Sequence, residues 1–331
     1  MLNPKLKLSE KIFGSDCEMQ TTRLGFGEGL LEAGKLEKNV VALSADLTES
    51  THCHKFAKEF PERFIQCGVA EQNMASVAAG LAVSGKIPFI ASYATFSPGK
   101  NWETVRTTIV YNDANVKIAG HHSGIVTGPD GATHQATEDI AIMRALPNVT
   151  IFIPCDSNQA KKATLAASKI KGPVYIRFTR DKTAVMTSEK TPFEPGKIDV
   201  YWETESPEAT IFATGYMLYH ALLAAKQLKE EKIDVEVVNV STIKLLDVEA
   251  VVNMVNKSGA AVTVEDHQVM GGLGGAISET LAKHKPTPIE FIGLQDTFAE
   301  SGKPQELLEK YKMDKGAIAA AVKKVIARKT S

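Results

Sequence analysis

Short apolar runs, rich in β-branched residues, alternate with helical patterns along almost the whole chain, and this alternation limits the possible folds. The runs lie at residues 40–44, 63–67, 88–93, 116–120, 150–154, 174–178, 209–213, 235–240, 261–264 and 289–292. Amphipathic helical patterns include residues 219–230, 248–256 and 316–327. Strands that are apolar on both faces and separated by helices indicate parallel sheets covered by helices on both sides. The sequence therefore predicts an α/β fold.

A polar segment at residues 187–197, which contains Pro192 and Pro195, separates the first six runs from the last four. We interpret this segment as a linker. A chain of 331 residues has the length of about two typical domains. We therefore predict two α/β domains with parallel or mixed sheets, at residues 1–190 and 191–331.

Composition argues against several classes of function. The formal net charge is −1, so no overall field attracts nucleic acid or an anionic membrane. No apolar run is long enough to span a bilayer, and the N-terminus lacks a signal-peptide pattern. Four scattered cysteines predict reduced thiols and a cytoplasmic location. The tight triplet His52-Cys53-His54 cannot close a tetrahedral site by itself, so we predict no metal site in this chain.

Glu71 stands where an apolar strand ends and a helix rich in small residues begins. Acidic residues are favoured in the first turn of a helix, where they meet the positive end of the helix dipole. The following helix is rich in alanine and glycine, which suggests close packing and a buried start. A buried carboxylate needs a specific partner. Glu71 is therefore either a helix-start residue or an acid directed at a ligand.

Unusual polar loops follow several predicted strands, at the edge where ligands bind in open α/β sheets. Each loop alone is a weak signal, because an Asp-Gly pair is also common in turns. The loops are residues 44–50, 94–99, 121–124, 128–135 and 179–180. Together they bring carboxylates, imidazoles, an aromatic ring and an arginine to one edge of one sheet. This convergence predicts a binding site in the first domain.

The motifs in these loops resemble the pyrimidine-binding domain of transketolases. They are Ala45-Asp46-Leu47-Thr48, Gly68-Val69-Ala70-Glu71-Gln72, Asp130-Gly131-Ala132-Thr133-His134-Gln135 and Leu146-Pro147-Asn148. The second domain is similar to the transketolase C-terminal domain through Ala213-Thr214-Gly215 and Gly271-Gly272-Leu273-Gly274. The resemblance covers nearly the whole chain but only the second half of a full-length transketolase. The missing part is the N-terminal diphosphate-binding domain, with its Gly-Asp-Gly…Asn magnesium motif.

The resemblance implies a role for each candidate site residue. Glu71 would hydrogen-bond the aminopyrimidine ring of thiamine diphosphate and promote its imino tautomer, so that the cofactor's own exocyclic nitrogen takes the thiazolium proton. The other implied roles are cofactor contact for Asp46, Phe96 and Trp102, catalysis and hydrogen bonding of ketose hydroxyls for Asp130 and His134, and sugar-phosphate binding for Arg23, Ser50, His121 and Arg180, with His121 also catalytic. Arginine suits such a site because its planar fork binds phosphate oxygens bidentately.

The resemblance also implies an activity that is shared between two chains. This chain would be the C-terminal, β-like subunit of a split transketolase of the pentose phosphate pathway. That enzyme transfers a two-carbon ketol unit from a ketose phosphate to an aldose phosphate. The partner subunit would bind the diphosphate and its Mg²⁺ or Ca²⁺. Because sites in this family lie between subunits, we expect a homodimer of this chain within a heterotetramer.

Two other functions remain open at the level of the sequence. One is a β subunit of a 2-oxoacid dehydrogenase, or an enzyme like deoxyxylulose-phosphate synthase. His121 and Thr133-His134-Gln135 favour transketolase over the dehydrogenases. The other is a non-catalytic assembly or regulatory subunit. Four intact residues argue against it: Glu71, Asp130, His134 and Arg180.

Overall fold

Three β-sheets organise residues 1–329, which are the residues that the computed structural model describes. The strands are β1 (Met19–Thr21), β2 (Val40–Ser44), β3 (Phe64–Gln66), β4 (Ile87–Tyr93), β5 (Lys117–His121), β6 (Thr150–Phe152), β7 (Val174–Arg177), β8 (Lys182–Ala184), β9 (Asp199–Trp202), β10 (Ala209–Ala213), β11 (Val235–Asn239), β12 (Thr242–Lys244), β13 (Ala261–Gln268) and β14 (Ile289–Leu294). The α-helices are α1 (Thr22–Leu36), α2 (His54–Glu59), α3 (Glu71–Val83), α4 (Trp102–Thr104), α5 (Asp139–Arg144), α6 (Ser157–Lys169), α7 (Met217–Glu230), α8 (Val248–Ser258), α9 (Leu273–His284), α10 (Pro304–Lys310) and α11 (Lys315–Ala327).

The first sheet has seven strands in the order β12-β6-β7-β5-β4-β2-β3. All neighbouring pairs are parallel except β12 with β6, which is antiparallel. The carboxyl ends of its central strands lie side by side, because Tyr93 is opposite His121 and Gly120 is opposite Arg177. Residues that follow β2, β4, β5 and β7 therefore meet at one edge, where open α/β sheets bind ligands.

The second sheet has five strands in the order β14-β13-β10-β11-β9. Its pairs are parallel except β9 with β11, so it is a mixed sheet like the first. Buried apolar side chains from α7 and α11 pack on it, including Leu218, Leu222, Val322 and Val325. Strand β12 comes from this half of the chain, but it pairs with the first sheet.

A short antiparallel ribbon of β1 and β8 brings the start of α1 close to the end of the first half. Thr21 lies opposite Lys182 in this ribbon. Helix α1 also packs tightly on α6, since a Cβ at Gly25 would lie 1.9 Å from the carbonyl oxygen of Ser157. These two contacts place Arg23, in the first turn of α1, beside the segment that carries Arg180.

The predicted fold class is confirmed, and each of the ten apolar runs contains a strand. The sequence analysis missed β1, β8, β9 and β12, which are three or four residues long. The three predicted helical patterns correspond to α7, α8 and α11. Among the described residues, no helix combines the length and the apolar character that crossing a membrane requires.

Candidate active site

Glu71 is the first residue of α3 and follows the turn at Gly68, which has a φ of +67°. Its side chain is only 2% exposed, as the small residues of the helix predict. Within residues 1–329 the structure gives its carboxylate a single partner, Lys100 Nζ, at 3.2 Å from Oε2. The Lys100 side chain is half exposed, whereas Asn101 is buried and donates a hydrogen bond to the Glu71 carbonyl oxygen. The acid is therefore held at the helix start without being enclosed by backbone donors.

An aromatic cluster lies at the end of β4. Two of its members, Tyr93 and Phe96, are on the chain segment that also supplies Lys100. Tyr93 stacks on His122 with ring centroids 3.8 Å apart, and on Phe96 at 6.0 Å. His134 meets Phe96 edge-on at 5.4 Å. We call Tyr93, Phe96, His122 and His134 the aromatic wall. Of these, the sequence analysis selected Phe96 and His134 but missed Tyr93 and His122.

His121 and His122 are both buried but pack against different aromatic rings, and only His122 belongs to the aromatic wall. His121 is fully buried between Phe26 and Phe178, with ring centroids at 4.8 and 4.9 Å. That burial lowers its pKa well below the usual value for histidine. The backbone turns to a φ of +54° at His122, just after β5 ends, and this sends the two rings to different neighbours. The His122 ring stacks on Tyr93, whereas the phosphate-binding and catalytic roles of His121 stay predictions.

Arg23, Ser50 and Arg180 meet at the carboxyl edge, as the sequence analysis expected. Arg23 Nη1 donates to the Ser50 carbonyl oxygen at 2.7 Å, and Nη2 donates to the Arg180 carbonyl oxygen at 3.4 Å. The Ser50 hydroxyl lies 2.8 Å from the Tyr93 hydroxyl, which links this group to the aromatic wall. Burial lowers the pKa of Arg23, and its Nε lacks a hydrogen-bond partner. A half-buried guanidinium with a free N–H is suited to an anionic ligand.

The positive charge of this cluster also shifts nearby histidines. Burial, followed by the charge of Arg23, lowers the pKa of His52 to about 4. The same two causes, with Arg180, lower the pKa of His122 to about 3. Both imidazoles are therefore neutral at physiological pH. A neutral histidine can donate one hydrogen bond and accept another, which suits contact with sugar hydroxyls.

Asp130 and Arg180 are brought together across the site. Arg180 Nη1 lies 3.5 Å from Asp130 Oδ1 and donates to the Thr127 carbonyl oxygen at 2.9 Å. His134 Nδ1 is 2.9 Å from the Thr133 hydroxyl. A cleft of about 660 Å³ opens beside this group. Its charged lining residues are Arg23, Arg180, Asp181, Lys182, Lys303 and Glu306.

Asp46 and Trp102 lie at the margins of this arrangement, and their cofactor contacts stay predictions. Asp46 follows β2 with a φ of +63°, and its side chain is exposed while its N–H donates to Gln66 Oε1. Trp102 packs partly buried against the core, and its indole N–H donates to the Ile142 carbonyl oxygen at 3.0 Å. No group of three acidic, histidine or cysteine residues within residues 1–329 could hold a metal ion.

Comparison with known proteins identifies the family that uses this arrangement. Residues 18–185 match the family profile of the transketolase pyrimidine binding domain, and residues 199–318 match that of the transketolase C-terminal domain. The chain belongs to the transketolase family. A putative transketolase C-terminal section from Methanocaldococcus jannaschii is 45% identical over 304 residues, which cover 91% of this chain and 94% of that protein.

Two further members of the transketolase family match over most of their length. A 6-deoxy-6-sulfo-D-fructose transketolase subunit from a Clostridium species is 40% identical, covering 91% of this chain and 92% of that protein. A solved structure of a split gene transketolase, an inactive β4 tetramer, is 44% identical with a TM-score of 0.87. The match covers 93% of this chain and 99% of the chain in that structure. Similarity therefore extends over complete proteins that are themselves sections or subunits of transketolases.

The residues at the carboxyl edge fit the pyrimidine end of thiamine diphosphate, on which the transketolase family depends. An aminopyrimidine needs a carboxyl group at a ring nitrogen and an aromatic surface against its face. Glu71 has a buried carboxyl group that could meet the first need, and the rings of Tyr93 and Phe96, on the segment that also carries Lys100, could meet the second. The hydroxyls of Ser92 and Thr95 and Nδ1 of His122 are buried here without partners. Such orphaned polar atoms are what a bound polar ligand would satisfy.

Proposed function

We propose that this chain is the C-terminal subunit of a split, thiamine-diphosphate-dependent transketolase. The observation that carries the proposal is one sheet edge that joins Glu71, the aromatic wall and the Arg23–Arg180 pair. The first two suit a pyrimidine ring, and the third suits an anionic sugar. The similarity to a transketolase C-terminal section and to a split gene transketolase supports the same function.

Glu71 and the aromatic wall have separate tasks in this proposal. Glu71 would hold a proton toward a pyrimidine ring nitrogen when the cofactor is bound. Its burial keeps water away from that proton. Tyr93 and Phe96 pack against the ring face and fix its position. When it is bound, thiamine diphosphate supplies the nucleophilic carbon that carries the two-carbon unit.

The remaining residues bind and orient the sugar. Arg23 and Arg180, with Ser50, hold the terminal anionic group through charge-assisted hydrogen bonds. His122 takes the position in this group that the sequence analysis gave to His121. Asp130 and His134 bind ketose hydroxyls, and Asp46 lies toward the cofactor and the substrate entrance. Fixing both ends of the sugar orients its carbonyl carbon for reaction.

A separate subunit completes the site. The matched family regions are the pyrimidine binding and C-terminal domains, so we assign the diphosphate and its Mg²⁺ or Ca²⁺ to a partner chain. Two copies of this chain and two of the partner would form a heterotetramer. The similar split gene structure is an inactive tetramer of β chains, which supports inactivity of this chain alone.

The test is reconstitution. The chain is purified alone and with the protein from its own genome that carries the Gly-Asp-Gly…Asn half, and ketol transfer from xylulose 5-phosphate is measured. Activity is expected only in the mixture and only with thiamine diphosphate and Mg²⁺. Robust turnover by the isolated chain would refute the split arrangement. Decarboxylation of pyruvate in place of ketol transfer would favour the 2-oxoacid dehydrogenase or deoxyxylulose-phosphate synthase reading.

The identity of the anionic group on the sugar is a second question for the same assay. The relative from Clostridium is a 6-deoxy-6-sulfo-D-fructose transketolase subunit, so a sulfonate is a chemical alternative to a phosphate. Both are tetrahedral oxyanions that an arginine pair can bind. Competition between xylulose 5-phosphate and 6-deoxy-6-sulfo-D-fructose separates the two donors, since the true donor has the higher kcat/KM.

A further inference from the structure

The loop that carries Asp130 and His134, residues 124–135, is held from the second half of the chain. Asp266 lies near the carboxyl end of β13 and is 2% exposed. Its Oδ1 accepts the Ile125 N–H at 2.8 Å, and its Oδ2 accepts the Val126 N–H at 3.4 Å. One carboxylate from the second sheet therefore binds both amides at the start of this loop.

Gly124 makes this approach possible. It has a φ of +79°, and a Cβ built there would lie 1.9 Å from Asp266 Oδ2. A side chain at this position would therefore both strain the backbone and displace the carboxylate. Since Gly124 N also donates to the Ala136 carbonyl oxygen at 2.7 Å, the start of the loop has little freedom to move.

Asp266 is itself fixed by a buried arginine of the first sheet. Arg177 Nη2 donates to the Asp266 carbonyl oxygen at 2.8 Å and to the Ala136 carbonyl oxygen at 3.2 Å. Its Nε donates to Asp139 Oδ2 at 2.8 Å. Asp266 is thus linked to the start of the loop in two ways. Its carboxylate accepts the Ile125 and Val126 amides, and its carbonyl oxygen shares Arg177 with Ala136, which accepts the Gly124 N–H.

The far end of the loop is held by the same half of the chain. Gln135 Nε2 donates to the Glu300 carbonyl oxygen at 3.1 Å and to the Gly128 carbonyl oxygen at 3.2 Å. A Cβ at Gly131 would lie 2.5 Å from the Ser301 hydroxyl, which shows how closely this segment packs. Asp130 is next to Gly131, so its position depends on these contacts.

We propose that Asp266 is a positioning residue, through which the second half of the chain holds the loop at residues 124–135 in the geometry that binds sugar hydroxyls. The role rests on the proposed function, because it assumes that Asp130 and His134 contact a sugar. A carboxylate suits the task since each of its two oxygens can accept one N–H. Burial raises the pKa of Asp266 to about 6, because removal from water disfavours the charged carboxylate.

The test uses Asp266→Asn, which keeps the shape of the side chain but replaces one acceptor oxygen with an NH₂ group. In the isolated chain, hydrogen exchange at the Ile125 and Val126 amides is expected to become about tenfold faster. In the reconstituted complex, the KM for the ketose phosphate is expected to rise about tenfold. Half-saturation by thiamine diphosphate is expected to stay unchanged, because Glu71 and Phe96 lie on other segments.

Glu265→Gln is the matched control. Glu265 is the neighbouring buried acid, and it accepts the Leu273 and Gly274 amides at the start of α9, each at 2.7 Å. This variant is expected to change neither exchange at residues 125 and 126 nor the KM. Gln135→Met is a second variant for the case in which Asp266→Asn does not fold. It removes the donor to the Glu300 carbonyl oxygen and should raise the same KM.

The outcomes are separable. Unchanged exchange at the Ile125 and Val126 amides in Asp266→Asn would overturn the proposal. So would faster exchange with an unchanged KM, or an equal loss of affinity for sugar and cofactor. A wild-type complex without ketol transfer refutes the proposed function instead, and the exchange measurement still decides whether Asp266 holds the loop.

Discussion

Two buried glutamates, Glu71 and Glu265, place their carboxylates near the starts of helices but have different surroundings. Glu71 is the first residue of α3, whereas Glu265 lies in β13 and reaches the start of α9. Glu265 is 1% exposed and accepts two backbone amides at the start of α9, each at 2.7 Å. Glu71 is 2% exposed at the start of α3, yet the only partner of its carboxylate among residues 1–329 is the half-exposed amine of Lys100. The Glu265 carboxylate, by contrast, is satisfied by backbone amides, as a buried acid with a purely structural role requires. The contrast indicates that Glu71 retains acceptor capacity for a ligand.

The largest expected effect separates these two acids by activity. Glu71→Gln keeps the size of the side chain but cannot share a proton with a pyrimidine nitrogen in the same way. We expect kcat of the reconstituted complex to fall by roughly 10²–10⁴-fold, the usual range for loss of an acid–base group. The thermal midpoint of the isolated chain should change little, because an ion pair with an exposed lysine contributes little.

Lys100→Met is the control for this variant, since it removes the partner of Glu71 in the isolated chain without removing the carboxylate. Its kcat should stay within a few-fold of the wild type. If Glu71→Gln turned over as fast as the wild type, the difference in surroundings between Glu71 and Glu265 would not indicate a catalytic role for Glu71. The non-catalytic reading of the chain would then be favoured.

The second expected effect is on stability and leaves activity unchanged. Glu265→Gln leaves one of the two amides at the start of α9 without an acceptor, which costs roughly 1–3 kcal/mol of the free energy of unfolding. Denaturant titration of the isolated chain measures this loss. The KM values of the reconstituted complex should be unaffected. A large change in KM with normal stability would show that Glu265, like Glu71, belongs to the site.

The smallest expected effect is on the free energy of unfolding at acid pH and concerns His122, in the aromatic wall. The pKa of His122 is about 3 in the folded chain, against about 6.5 when unfolded, so the unfolded chain binds the extra proton. The stability that neutral His122 contributes is complete above pH 6.5 and is lost as the pH falls toward 3. Wild type should therefore lose roughly 2 kcal/mol more than His122→Asn between pH 7 and pH 4.5.

Denaturant unfolding curves of wild type and His122→Asn at pH 7 and pH 4.5 check this expectation. Comparing the change with pH, rather than the stability at one pH, cancels the packing lost in the variant. Lys11→Ala, which removes an exposed ion pair with Asp16, is a suitable control and should leave the pH dependence between pH 7 and pH 4.5 as it is. If stability depended on pH equally in wild type and His122→Asn, His122 would be protonated in the folded chain at pH 4.5.

The sequence predicted the elements that local pattern determines and missed those that depend on distant pairing. Ten apolar runs contain strands because burial on both faces requires continuous apolar residues. Strands β1, β8 and β12 have only three residues each, and their partners lie far away in the chain. No local signal marks them, although β1 and β8 are what bring Arg23 to Arg180.

The candidate site followed the same rule. Glu71 and the polar loops could be found because they follow apolar strands, and the family resemblance assigned their roles. Two adjacent histidines look equivalent in a sequence, so the analysis selected His121 alone. The structure distinguishes them, because the left-handed backbone at His122 lets its ring stack on Tyr93 while the His121 ring packs on Phe178. Tyr93 was missed since an aromatic at a strand end also reads as part of the core.

The pairing of β12 with β6 has a consequence for synthesis of the chain. The first sheet receives its last strand only from residues 242–244, after the whole first half and strands β9, β10 and β11 have been synthesised. Until then, β6 is an open edge that can pair with any other exposed strand. The two halves therefore mature together, and the nascent chain depends on its own later segment to close a sheet that its first half began.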